Sequence, residues 1–240
     1  MAGKDKERQE RGFLKYVKDA VKKNKNSPIT ILAGRTKLTN VIDAKKYSSS
    51  TYDKEPYTDV EVRTKNKKGI NLSLKGDSAP SLAGGGLKGL EAIVPGIANK
   101  FMKAAHKKLI KIGLQAGDKV PDVYGKISNT HKEKIVIGTS AMGGPIDYMY
   151  IGPMDVKGNF DDKTKTLTLN GTLTDSKTYA KTHDLYFRLR ARREDQTFDP
   201  DSEKGGVPKI YGKSPSRGDS AGRIVITDSV PKNAVIVDIT

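Results

Sequence analysis

The 240-residue chain has no cysteine, no tryptophan and only three histidines. Without thiols it can form neither disulfides nor thiolate metal sites, a composition that fits a reducing compartment without requiring one. His106, His131 and His183 are scattered and show no HExxH-like spacing, so zinc chemistry is not expected. Aromatic residues make up 6% of the chain and hydrophobic residues 35%, against 30% charged. No apolar run approaches the length of a membrane span, and the opening Met1-Ala2-Gly3-Lys4-Asp5 lacks the apolar segment of a secretion signal. No membrane partner is expected, and the chain is expected to stay inside the cell that makes it. The length still allows a substantial core, in one large domain or two small ones.

Acidic charge is scarce in one part of the chain only. Residues 1–134 hold 29 Lys and Arg against 14 Asp and Glu, a net of +15, while residues 135–240 hold 15 against 14, a net of +1. Nearly all of the formal +16 therefore lies in the first part. A field of that sign favours phosphate backbones or anionic surfaces, with binding that weakens steeply as salt rises. The plainer alternative is a lysine-rich solubilising surface.

Patterning predicts an α/β fold: a mixed sheet with flanking amphipathic helices in the N-terminal half and a β-rich C-terminal half. Phe13, Leu14, Val17, Ala20 and Val21 recur at helical intervals within Lys6 to Asn24, and Ile29 to Ala33 reads as a short strand. A second helical stripe runs from Leu90 through Phe101 to Ile112, with Pro95 in its first turn or at a kink. Lys100, Lys103, Lys107 and Lys111 follow another face of that helix, either as a solvated surface or tracking a nucleic-acid backbone. Beyond Lys134, strands are expected at Ile135 to Ile137, Tyr148 to Ile151, Thr166 to Leu169, Leu185 to Ala191, Gly222 to Ile226 and Ala234 to Ile239. These shifts suggest a basic, nucleic-acid-facing part over 1–134 and a β-rich part over 135–240, the two sharing one sheet or standing apart.

The richest segment is a hairpin at Asp59 to Lys75. Val60 and Val62 alternate with Asp59, Glu61 and Arg63, and Ile70, Leu72 and Leu74 alternate with Asn71, Ser73 and Lys75. Lys65-Asn66-Lys67-Lys68-Gly69 has turn composition, and Lys67 and Lys68 at the tip are candidate phosphate contacts. With the apolar faces in a core, Asp59, Glu61, Ser73 and Lys75 gather on the opposite side. The small-residue run Gly76 to Gly86 then leads into a helix, a setting in which backbone N–H groups can cradle a phosphate, although a structural loop over a sheet edge fits as well.

The order helix, acid-bearing strand, lysine-bearing strand, helix resembles the core of the PD-(D/E)XK, or restriction-endonuclease-like, nucleases. That resemblance implies a metal-dependent cleavage of phosphodiester bonds, with Mg2+ as the cofactor. Asp59 would hold the metal and Lys75 would assist the attacking water. The chain departs from the family pattern at Ser73, where a second acid is expected, and at Thr58, which replaces a proline. Glu61, or Glu91 at the start of the following helix, would then supply the missing metal-binding carboxylate, with Glu10 a more distant candidate.

Among the remaining motifs, Gly212-Lys213-Ser214 fails as a P-loop because Gly206 lies one residue too far upstream and Pro215 blocks the helix. Asp199 to Glu203 lacks the glycine and closing carboxylate of a calcium loop. Arg188, Arg190 and Arg192 project from one face of a strand, followed by Glu194 and Asp195. They are set either to bind phosphates along a groove or to pair with those acids, and with Lys213, Arg217 and Arg223 they form the best basic site outside the first half.

Three strings, NLSLKGDSAPSLAGGG from Asn71, MGGPIDYMYIGPMDV from Met142 and LYFRLRARREDQTFDP from Leu185, make the whole chain look similar to a group of tailed-phage proteins. That resemblance brings no activity with it. It implies a phage setting: the cytoplasm of an infected bacterium or the virion. The expected partners are nucleic acid, DNA foremost, and other phage subunits or a second copy of the chain. A nuclease or a non-enzymatic virion or DNA-packaging accessory protein both fit.

Overall fold

The computed structural model describes residues 2–47, 56–66, 69–76, 91, 93–140, 143–218 and 222–239, with side chains from residue 7 onward. In chain order the elements are α1 (Ala2–Lys23), β1 (Ile29–Ala33), β2 (Thr36–Lys46), β3 (Val60–Thr64), β4 (Gly69–Gly76), α2 (Ile97–Lys111), β5 (Val123–Lys126) and α3 (Asn129–Ile137). There follow β6 (Tyr148–Gly152), β7 (Gly158–Asp161), β8 (Thr166–Leu169), β9 (Thr172–Asp175), α4 (Ser176–Thr182), β10 (Tyr186–Arg190), β11 (Glu203–Lys204), β12 (Val207–Pro208), β13 (Arg223–Thr227) and β14 (Val235–Val237). The fold is mixed α/β, as the patterning predicts.

The chain forms two compact, discontinuous units: Met1–Pro80 with Val136–Thr182, and Ser81–Ile135 with His183–Thr240. This differs from the contiguous division at 135 expected from composition. The reason lies in one pairing: β4 runs parallel to β6, Leu72 opposite Tyr148 and Lys75 opposite Ile151, which draws the 148–175 strands into the sheet begun by β1 to β4. Parallel neighbours need a long crossover, and here it is the chain of the other unit.

The first unit is an eight-stranded sheet, ordered β7-β8-β1-β2-β3-β4-β6-β9, with α1 on one face. Phe13, Val17, Ala20 and Val21 of α1 are buried against Ile31, Val41, Val62, Leu72 and Tyr150. Burying each larger side chain contributes on the order of 1.5–3 kcal/mol. Phe13 meets the Tyr150 ring edge-on at 5.3 Å between centroids. Gln9, also buried, fixes the start of the helix by donating from Nε2 to the carbonyls of Lys75 and Gly152 at 3.1 and 3.0 Å. The sheet curls enough for the Thr36 hydroxyl, at the turn into β2, to donate to the Leu173 carbonyl of β9 at 2.7 Å.

β2 is not visible as a strand in the sequence because its buried apolar residues, Leu38, Val41 and Ala44, are three apart. Bulges explain the spacing: the register slips between Ile29 and Ile31 and again between Val41 and Asp43, and Asn40 adopts φ 58°. The expected strand at Ile135 to Ile137 is instead the last turn of α3, whose backbone begins with His131 and Lys132 donating to the Ser128 carbonyl. All three apolar residues are buried, so a continuous apolar run served a helix end as readily as a strand.

The second unit is built on a four-stranded sheet ordered β13-β10-β5-β14. α2 packs on the face formed by Phe187, Leu189 and Val237: Phe101 lies 5.6 Å from the Phe187 ring and against Gly125, where a Cβ would come within 2.8 Å of the Phe101 ring. Arg188, Arg190 and Tyr124 alternate onto the other face. The turn of the β11–β12 hairpin uses Gly205 and Gly206 at φ 60° and 71°, values that suit glycine.

Candidate functional site

The hairpin forms as expected, with Val60 opposite Leu72 and Glu61 opposite Asn71. Asp59, just before β3, is buried, and its carboxylate is used internally. One oxygen accepts from the Leu74 N–H at 2.6 Å and from the Ser73 hydroxyl at 3.1 Å. Its backbone is held as well, the Asp59 N–H donating to the Leu72 carbonyl and the Tyr47 N–H to its own. Where the nuclease pattern has a second acid, Ser73 supplies a proton donor to the first. A carboxylate so placed is a satisfied hydrogen-bond acceptor, and this donor set suits that role better than a magnesium site.

The other expected carboxylates are also committed. Glu61 shares the face of Asp59 but lies 3.4 Å from Lys45 Nζ and 3.8 Å from Arg63 Nε. Glu10 pairs with Lys46 at 3.1 Å. Lys75 shares the face of Ser73, its side chain half-buried. Glu91 belongs to the second unit, where it caps α2: the Gly96 N–H donates to one oxygen at 2.6 Å, and the N–H groups of Ala98 and Asn99 donate to the other at 2.9 and 3.3 Å. A carboxylate at a helix N-terminus satisfies otherwise orphaned donors and the helix dipole together. Among the described residues no group of three or more His, Asp or Glu is gathered as metal ligands. Lys67, Lys68 and nearly all of the glycine-rich loop, from residue 77 on, lie outside the described residues.

The lysine stripe of α2 is solvent-facing. Lys100, Lys103, Lys107 and Lys111 are exposed, and no acid among the described residues pairs with them. At 1.5 Å per residue the stripe spans ~16 Å. The wider charge is shared between the units: 24 Lys and Arg against 15 Asp and Glu in the first, a net of +9, and 20 against 13 in the second, a net of +7. The asymmetry along the sequence is thus largely lost in the fold.

The three arginines expected on one strand part company: Arg188 and Arg190 lie on β10, which ends at Arg190, and Arg192 falls in the bend beyond it. Arg188 donates from Nε to Asp122 at 2.8 Å, with Nη2 at 2.5 Å from the same oxygen, and its guanidinium lies 6.0 Å from the Tyr124 ring. Burial alone would lower the Arg188 pKa, but the Asp122 bond and charge outweigh it and hold the group above its ordinary value. Arg190 and Arg192 are exposed, and no acid among the described residues pairs with them. The expected pairing with the adjacent acids does not form: Asp195 turns away to accept from the Ser214 hydroxyl at 2.7 Å and the Ser216 N–H at 3.0 Å. Asp122 and Gln196, which organise this region, carry no sequence pattern that marks them; only the register of β10 and β5 brings Asp122 under Arg188.

No family model matches the chain, and no curated protein or solved structure is significantly similar to it.

Proposed function

We propose that the protein is a non-enzymatic nucleic-acid-binding protein, engaging the phosphate backbone of DNA through the lysine face of α2. The observation that carries this reading is the row Lys100, Lys103, Lys107 and Lys111, exposed along one helix with no acid among the described residues paired to it. Such a row releases counterions from a polyanion and reads no bases, which suits sequence-independent binding. In the phage setting implied by the resemblance it is a virion or DNA-packaging accessory component, acting in the infected cytoplasm or the particle beside other subunits or a second copy. No helix among the described residues is long and apolar enough to cross a membrane.

A magnesium-dependent nuclease is the second reading, favoured by the single face that Asp59, Glu61 and Lys75 share. One experiment separates the two. Duplex DNA is incubated with the protein in Mg2+ or in chelator, beside Asp59→Ala and Lys75→Ala. Equal binding in both buffers and intact DNA supports the binding protein; Mg2+-dependent cleavage lost in both variants supports the nuclease and sinks the first reading.

A further inference from the structure

At the end of the second unit's sheet, two cations are placed face to face. Arg190 of β10 and Arg223 of β13 are direct register partners, both exposed. Like charges directly opposite across a strand pair destabilise it. They border an open cleft of about 610 Å3, whose lining adds Lys119, Arg192 and Arg193. Among the described residues its acids are Asp122, committed to Arg188, and Glu194. Among the described residues, no acid pairs with Lys119, Arg190, Arg192 or Arg223, and no cation pairs with Glu194.

The backbone beside the cleft is anchored. Gln196 is buried, and its side-chain oxygen accepts from the consecutive N–H groups of Arg192 and Arg193 at 2.8 and 3.1 Å, while its Nε2 donates to the Gly212 carbonyl at 3.4 Å. The Asp122 bond likewise props Arg188 beneath the cleft. Asp195, next in the chain to Glu194, is turned onto Ser214 and Ser216. The fold thus directs a nearby acid away from Arg190 and Arg192, with which no acid among the described residues pairs.

We infer that this cleft is a discrete oxyanion site for a ligand carrying adjacent phosphate groups, with Arg190 and Arg223 as its principal contacts. Guanidinium forks match phosphate oxygens bidentately, and a bound dianion turns the cross-strand repulsion into shared attraction. The volume lies in the range of small-ligand sites, yet among the described residues only Val120 and Ala191 offer apolar lining, so the phosphates and not a base supply the recognition. The arginines project from the sheet face opposite α2, so the inference does not rest on the lysine-face reading.

The test is calorimetric titration of the full chain with pyrophosphate at low ionic strength, together with melting curves, for the native protein, Arg190→Gln, Arg223→Gln and, as a control, Lys177→Gln at an exposed position of the first unit's α4. Pyrophosphate is expected to raise the native Tm and to bind at least tenfold more weakly to each arginine variant, with Lys177→Gln unchanged. Without ligand, Arg223→Gln should melt no lower than the native protein, an order that saturating pyrophosphate reverses. Native-like binding by both arginine variants, or no Tm rise in the native protein, overturns the site. A single-stranded oligonucleotide displaced by pyrophosphate identifies strand phosphates as the source; one that is not displaced identifies a free oligophosphate. Pyrophosphate binding without any DNA binding leaves the cleft standing and removes the proposed function.

Discussion

Ser73 donates its hydroxyl hydrogen to the Asp59 carboxylate across 3.1 Å, in the interior of the hairpin that the sequence marks as a nuclease site. With the Leu74 N–H on the same oxygen, the pair ties the segment before β3 to β4. Asp59 is thereby given a structural task. Replacing it with Ala leaves a buried N–H and hydroxyl unpaired, which is expected to cost about 1–3 kcal/mol in urea denaturation. Mg2+ is expected to leave the stability of the native protein unchanged; a Mg2+-dependent rise in Tm lost in Asp59→Ala would show a metal site instead.

Glu91 is expected to behave as a helix cap. Glu91→Ala removes acceptors from three N–H groups at the start of α2 and should lower stability by about 1–2 kcal/mol, with reduced helicity by circular dichroism. Glu91→Gln, which keeps one acceptor oxygen but loses the charge, should fall between the two. Native stability in both variants would refute the cap.

Gly171 sits where a Cβ would collide with the Tyr150 ring. That ring is buried in the first unit's core, and burial raises the Tyr150 phenol to about 12. Gly171→Ala should force the ring aside and cost about 1–3 kcal/mol, and spectrophotometric titration should then find one tyrosine moved back toward ordinary values. A variant with unchanged stability and titration would contradict this packing.

The Asp195 carboxyl is held below its ordinary pKa, chiefly by the Ser214 hydroxyl and then by Ser216. Because the folded value is depressed, the stabilisation is present above the unfolded pKa and is lost as pH falls through the folded one. Carboxyl NMR titration should place the Asp195 midpoint below that of an unperturbed aspartate, and Ser214→Ala should raise it. An unmoved midpoint would rule out the hydrogen bond as the cause.

Much of the architecture was legible in local pattern. α1, the Asp59–Lys75 hairpin, α2 and the strands at Tyr148, Thr166, Leu185, Gly222 and Ala234 all follow from periodicity, because each buries one face. What failed locally was bulged or short: β2, whose bulges space Leu38, Val41 and Ala44 by three, and the buried helix end at Ile135. The candidate site was legible in composition and not in partnership. Residue type placed lysines on α2 and arginines on β10, but only long-range register sets Asp122 on Arg188, Ser73 on Asp59 and Arg223 opposite Arg190. Ser73 was visible as a departure from the nuclease pattern; its role as a donor to Asp59 was not.

The most direct test of the central claim is the salt dependence of duplex DNA binding, followed by fluorescence anisotropy, for the native protein and Lys100→Gln/Lys103→Gln/Lys107→Gln. Each backbone-contacting lysine contributes ~0.9 to the slope of log K against log salt, so the triple variant should bind more weakly with a slope shallower by roughly 2.7. An unchanged affinity and slope in the triple variant would contradict the account.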